Sequence, residues 1–117
     1  MPDKLKITLN RRAGGVAVAH FTGRLDFTSA PEARDQFAAA IAAGQRKLIV
    51  DLSKVGFVDS AGLGSLIGGM RAARQAGGDL RIANPSEQAR MLLSLTSLDQ
   101  VLKIHSTIVE ALRSSPS

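Results

Sequence analysis

The sequence predicts a single α/β domain in which helices pack over a mixed β-sheet. Three observations predict it. Short apolar runs of strand character recur along the chain, at "LKITLN", "VAVAHF", "KLIVDL", "DLRIA" and "VLKIH". After the second run they alternate with stretches whose apolar residues repeat at helical spacing, which implies parallel pairing through right-handed crossovers. The 117 residues are 44% hydrophobic and 21% charged, enough for one packed core and too apolar for disorder.

The first strand alternates Leu5, Ile7 and Leu9 against Lys6 and Thr8, the period of a half-buried strand. Gly14 and Gly15 turn the chain into "VAVAHF", so residues 4–22 read as a hairpin. "GRLDFTSAPEA" leads into the first helix, where Ser29 and Glu32 have capping-box spacing. Ala33, Phe37, Ala40 and Ile41 give that helix one apolar face, and Gly44 stops it. "KLIVDL", at 47–52, is a continuous apolar run, expected as a central strand buried on both faces. "VGFVDSAG" reads as a connection, and Leu63, Leu66, Ile67 and Met70 then recur on one face of a second helix that Gly77 and Gly78 end. After "DLRIA", a third helix opens with Asn84 as cap, Pro85 at the first helical position and Glu87 three residues past the cap. "VLKIH" is the last strand, and Thr107 with Glu110 is a second capping-box pair at the head of "IVEALRS". No repeat or linker divides the chain: residues 1–117 form one domain, its core about 4–113 and its tail 114–117 frayed.

Composition narrows the function. No apolar run reaches the ~18 residues that span a bilayer, and "MPDKLKITLN" lacks the apolar centre of a signal peptide. Without cysteine there is no disulfide framework, thiolate nucleophile or Cys-ligated metal. These features point to the cytoplasm, with no membrane insertion. Fifteen basic and ten acidic residues give a net charge of +5. The basic residues are scattered singly or in pairs, such as Arg11–Arg12 and Arg46–Lys47, and the only aromatics are four phenylalanines. That pattern favours a solvated basic surface, or an acidic protein partner, over direct nucleic-acid binding.

Catalytic constellations are missing too. His20 and His105 lie far apart within expected strands, where a lone histidine is usually structural. Ser60 lacks the G-x-S-x-G frame, since Val58 stands at the first glycine. There is no Gly-Lys-Ser/Thr phosphate loop, and Ile67 breaks a G-x-G-x-x-G reading. No Asp, Glu and His cluster has metal-ligand spacing. The expectation is a non-enzyme with no catalytic residue, no metal and no cofactor.

"VDSAGLGSL", Val58 to Leu66, is the unusual stretch. A serine or aspartate entering a helix ordinarily caps it, and either Asp59 or Ser60 suits that job. The glycines need more. Gly62, Gly64 and Gly68 each cost roughly 1 kcal/mol against alanine inside a helix, and local rules broken without evident gain tend to mark functional sites. Bare backbone at a helix start admits close approach by another protein and offers N–H groups to an anion. A phosphate on Ser60 would sit at the favourable end of the helix dipole.

The run "LIVDLSKVGFVDSAGLGSLIGGMRAARQAGGDLRIAN" resembles the central region of the STAS domain, above all in the bacterial anti-sigma factor antagonists; "FTGRLDFTSAPEAR" resembles the G-x-L-D segment and first helix of that family. The element order agrees from residue 4 to about 113, so the resemblance implies a STAS-like sandwich. By resemblance, Ser60 of D-S-x-G is a phosphoacceptor and Asp59 the acid beside it. Asp26, of G-x-L-D, lies near the serine and faces the kinase. Ala61, Gly62, Leu63 and Gly64 complete the partner-contacting helix start. The family's partner is an anti-sigma factor serine kinase of the histidine-kinase-like ATPase fold: the unphosphorylated antagonist binds it and frees the sigma factor, phosphorylation ends binding, and a serine phosphatase resets the switch. Antagonists of this family are often acidic, whereas this chain has a pI near 10.5. The resemblance also admits a STAS subunit of a stress-signalling assembly or a lipid-transport complex, or a nucleotide- or small-molecule-binding domain using the same helix start.

Overall fold

A computed structural model describes residues 4–114. The first strand, β1 (Lys6–Arg12), turns through Gly14 and Gly15, both at positive φ, into β2 (Val16–Leu25), and the two pair antiparallel. The rest alternates: α1 (Ala30–Ala42), β3 (Lys47–Val58), α2 (Ser60–Gln75), β4 (Asp79–Ala83), α3 (Glu87–Leu95), β5 (Lys103–His105) and α4 (Ile108–Arg113). A single 3₁₀ turn, Leu98–Gln100, precedes β5 and was not foreseen.

The sheet order is β1-β2-β3-β4-β5, with every pair after the hairpin parallel. "KLIVDL" therefore begins the central strand, as expected. Because successive parallel strands add in one direction, crossovers of one hand put their helices on one face. Alternation along the strands reports this directly. Ala17, Ala19, Leu48, Val50, Leu80 and Ile82 share a core with Phe37 of α1, Leu66 and Met70 of α2 and Leu93 of α3. Their alternates Val18, Ile49 and Ala83 form a small cluster with Ala111 of α4, on the opposite face. Elsewhere that face is polar: His20 meets Asp51 at 2.8 Å, and the buried Lys47 and Arg81 lie on it.

Two caps differ from expectation. Ser29 does not cap α1 with its side chain; its hydroxyl donates to the Arg24 carbonyl and accepts from the Asp26 N–H. Asn84 adopts a left-handed conformation (φ 53°), so the cap of α3 falls two residues later, where Ser86 Oγ accepts from the Ala89 N–H at 3.1 Å. Thr107 caps α4 as expected, accepting from the Glu110 N–H. Ser114, assigned above to a frayed tail, is tied down: its carbonyl accepts from Lys47 Nζ, and its hydroxyl donates to the Ala111 carbonyl. Residues 115–117 of that tail lie outside the described residues.

"VGFV" is the larger correction. It is strand rather than connection: β3 runs six residues past "KLIVDL", to Val58. Beyond Asp51 it has no β4 partner and pairs only with β2, across register shifts that end at Leu25↔Val58. Gln88 of α3 takes the place of the missing neighbour. Its Oε1 accepts from the Val58 N–H at 2.9 Å and its Nε2 donates to the Val58 carbonyl at 2.8 Å. A lone strand tip is thus fixed on both sides, and it carries the turn into α2.

Candidate functional site

The turn lies at the carboxyl end of β3, the end where open α/β sheets present their sites. Asp59 is the N-cap of α2. Its Oδ1 accepts from the Gly62 N–H at 2.8 Å and its Oδ2 from the Phe27 N–H at 3.1 Å, while its own N–H donates to the Leu25 carbonyl at 3.2 Å. One side chain thereby joins the start of α2 to the loop after β2. Each carboxylate oxygen accepts one backbone N–H, which shapes the turn, and among the described residues neither accepts from the Ser60 hydroxyl.

Ser60 opens α2 and is exposed. Its hydroxyl makes no hydrogen bond among the described residues. The first N–H groups of a helix lack intrahelical acceptors; Asp59 satisfies that of Gly62, leaving those of Ser60 and Ala61 at the positive end of the helix dipole. Ser65, the next serine, is fully buried and donates to the Gly62 carbonyl at 2.6 Å.

The glycines divide into two groups. A Cβ on Gly62 would collide with the Leu25 carbonyl oxygen, and one on Gly69 would crowd the Phe37 ring of α1 and lie 2.8 Å from Leu80 Cδ1. These two let α2 lie hard against the sheet tip and against α1. Gly68 has nothing within 4 Å of a Cβ, and Gly64 meets only an Arg34 nitrogen at 3.5 Å. Gly62 and Leu63, placed above among the partner-contacting residues, are both buried. They seat the helix, and the surface of its start is Ser60, with Ala61 and Gly64 half-buried.

Asp26 stands in the neighbouring loop. Its Oδ1 accepts from the Thr28 N–H at 3.0 Å and the Thr28 hydroxyl at 2.6 Å, and Arg24 Nε lies 3.4 Å from its Oδ2. The Thr28 hydroxyl, aided by the Thr28 N–H and by Arg24, holds the Asp26 carboxyl below its ordinary range against a smaller push from burial. Arg24 also lies over the Phe57 ring, 4.3 Å from its centroid. Sequence reasoning named Asp26, Asp59 and Ser60; the Phe27 N–H bond to Asp59 joins the loop that carries Asp26 to the turn that carries Ser60. Sequence reasoning missed Phe27, Thr28 and Gln88. The order Asp-x-Thr is the signal that could have found Thr28, since an aspartate there accepts from the backbone two residues on. Gln88 carries no signal, because its partner is a strand end thirty residues away.

No helix among the described residues is long and apolar enough to cross a membrane. A protein of Thermotoga neapolitana named as an anti-sigma factor antagonist homologue is 36% identical over 69 residues, 59% of this chain and 61% of that protein. The chain thus spans about three fifths of the length of the Thermotoga relatives it matches. The anti-sigma-B factor antagonist of Bacillus subtilis is 31% identical over 85 residues, 73% of this chain and 77% of that one. Among solved structures, the Bacillus anti-sigma factor antagonist SpoIIAA is 25% identical. Its unphosphorylated form superposes with a TM-score of 0.79 over 92% of this chain and 93% of that one. Its phosphorylated form gives 0.71 over 92% and 96%. The family model described as the STAS domain matches residues 9–111, from within β1 into α4, and the chain belongs to the STAS domain family.

Proposed function

We propose that this chain is an anti-sigma factor antagonist switched by phosphorylation of Ser60. Unphosphorylated, it docks the start of α2 on an anti-sigma factor serine kinase and frees the sigma factor. The kinase then transfers the γ-phosphoryl group of ATP to Ser60. A bond forms between Ser60 Oγ and the γ-phosphorus, the bond from that phosphorus to ADP breaks, and the hydroxyl proton passes to a base on the kinase. The phosphorylated chain lets go, and a serine phosphatase removes the group.

One observation carries this reading: Ser60 is exposed, with an unengaged hydroxyl, at the N-terminus of a 16-residue helix on a turn fixed from both sides. The names of the relatives support it, as does the existence of SpoIIAA in two phosphorylation states. Asp26 and Asp59 act by holding the turn, since their carboxylates are occupied by backbone and Thr28.

The test is phosphorylation with the purified anti-sigma kinase of the same cell and ATP, followed by mass spectrometry. The label is expected on Ser60 and absent from Ser60→Ala. Undiminished labelling of Ser60→Ala would overturn the assignment.

A further inference from the structure

Among the described residues, the largest exposed apolar side chain belongs to a loop whose backbone is bonded to Asp59, the residue before Ser60. Phe27 is 72% exposed, whereas Phe21 and Phe37 stack together in the core and Phe57 lies beneath Arg24. An aromatic ring left in water forgoes the largest apolar contribution a side chain can make to burial.

Hydrogen bonds fix the backbone that carries it. The Phe27 N–H donates to Asp59 Oδ2. On one side Ser29 Oγ fixes the Asp26 N–H; on the other, Asp26 Oδ1 holds the Thr28 N–H and hydroxyl. The other exposed apolar residues, Met91, Leu95, Val101 and Val109, lie on α3, on α4 or just after the 3₁₀ turn. Because the Asp59 carboxylate ties the Phe27 backbone to the residue before Ser60, a protein that brings its catalytic centre to the Ser60 hydroxyl meets the loop that carries Phe27. An anchor whose backbone is already fixed loses little freedom on docking, and buried aromatic anchors carry a large share of interface affinity.

We propose that Phe27 is the apolar anchor by which this chain docks on its kinase, filling an apolar pocket beside the kinase's nucleotide site; this rests on the phosphorylation switch proposed above. Asp59 is a positioning residue that presents the ring.

The experiment is calorimetric titration of the ADP-loaded anti-sigma kinase, paired with steady-state phosphorylation. Phe27→Ala is expected to weaken binding roughly ten- to a hundredfold, raising KM and leaving kcat near wild type. Phe27→Leu should recover most of the affinity. Val109→Ala, a smaller apolar truncation at an exposed site on the opposite face of the sheet, should bind like wild type. Thermal unfolding of Phe27→Ala should be unchanged, because the ring packs in solvent.

Wild-type affinity in Phe27→Ala overturns the inference, as does a fall in kcat at constant KM, which would make Phe27 an aligner of the serine. A concentration-dependent dimer that Phe27→Ala abolishes, with kinase binding intact, would assign the ring to a second copy of this chain and also overturns it. Failure of the wild-type chain to bind the kinase is a distinct result and overturns the phosphorylation switch itself.

Discussion

Replacing Gly62 with alanine tests how the site is built, and it needs no partner. The added Cβ would fall on the Leu25 carbonyl oxygen, with the Leu25 carbonyl carbon at 2.9 Å and Cγ at 3.0 Å. The carbonyl cannot swing aside, because it belongs to β2 and accepts the Asp59 N–H. Ordinary contacts between heavy atoms lie near 3.5–4.0 Å, so the start of α2 must retreat by roughly an ångström. That retreat stretches the Asp59 cap and opens the core around Leu63 and Leu66. Overpacking of this kind costs about 3 kcal/mol. Gly68 is the control: nothing lies within 4 Å of its Cβ, so alanine there should stabilise α2 by about 0.5–1 kcal/mol through helix propensity alone. For a domain of this size about 4 °C accompanies each kcal/mol. Thermal unfolding followed by circular dichroism should therefore show Gly62→Ala melting about 12 °C below wild type and Gly68→Ala about 3 °C above it. If Gly62→Ala melts with or above wild type, the helix is not seated on Leu25, and the account of the helix start is wrong.

Two further outcomes follow from the same geometry. Asp59→Asn keeps one acceptor for two backbone donors, so it should lower stability by about 1 kcal/mol and slow phosphorylation of Ser60 without abolishing it; a wild-type rate together with wild-type stability in chemical denaturation would contradict the clamp. Among the described residues, His105 has its Nε2 buried without a hydrogen bond. Burial lowers its pKa below the ordinary 6.5, with Arg81, Lys47 and Lys103 adding to the effect and Glu110 opposing it. The unfolded chain then binds the proton more readily, so stability from this group is present above pH 6.5 and is lost as pH falls below that value. Urea unfolding should show wild type weakening between neutral and mildly acidic pH more than His105→Gln does, and parallel profiles would contradict it.

The order of elements was legible because apolar periodicity changes cleanly between strands and helices, as from "KLIVDL" to Leu63, Leu66 and Met70. What escaped depends on contacts distant in sequence. The end of β3 looked like a connection because it contains Lys54 and Gly56, both exposed; it is strand because β2 pairs with it and Gln88 substitutes for β4. Ser29 has the spacing of a cap, but its hydroxyl serves Arg24 and Asp26 instead. Local pattern could say that Gly62 and Gly64 were unusual, not that one is demanded by a strand carbonyl and the other leaves the surface bare. Asp59 and Ser60 were visible because the glycines after them break the helix pattern, and Asp26 through the resemblance of its G-x-L-D segment, whereas Phe27 is conspicuous only once it is known to be uncovered.

The central claim is that a negative charge on Ser60 ends binding by local repulsion, without refolding. A unit charge facing another at ~6 Å through an effective dielectric of ~20 meets about 3 kcal/mol, on the order of a hundredfold in affinity. The helix N-terminus accepts that charge within the chain itself, so the fold should not suffer. The most direct measurement is titration of Ser60→Asp, beside wild type and Ser60→Ala, against the ADP-loaded anti-sigma kinase, with thermal unfolding of each variant. Ser60→Asp should bind about a hundredfold more weakly while melting at or slightly above wild type, and Ser60→Ala should bind like wild type. Wild-type affinity in a folded Ser60→Asp would contradict the account.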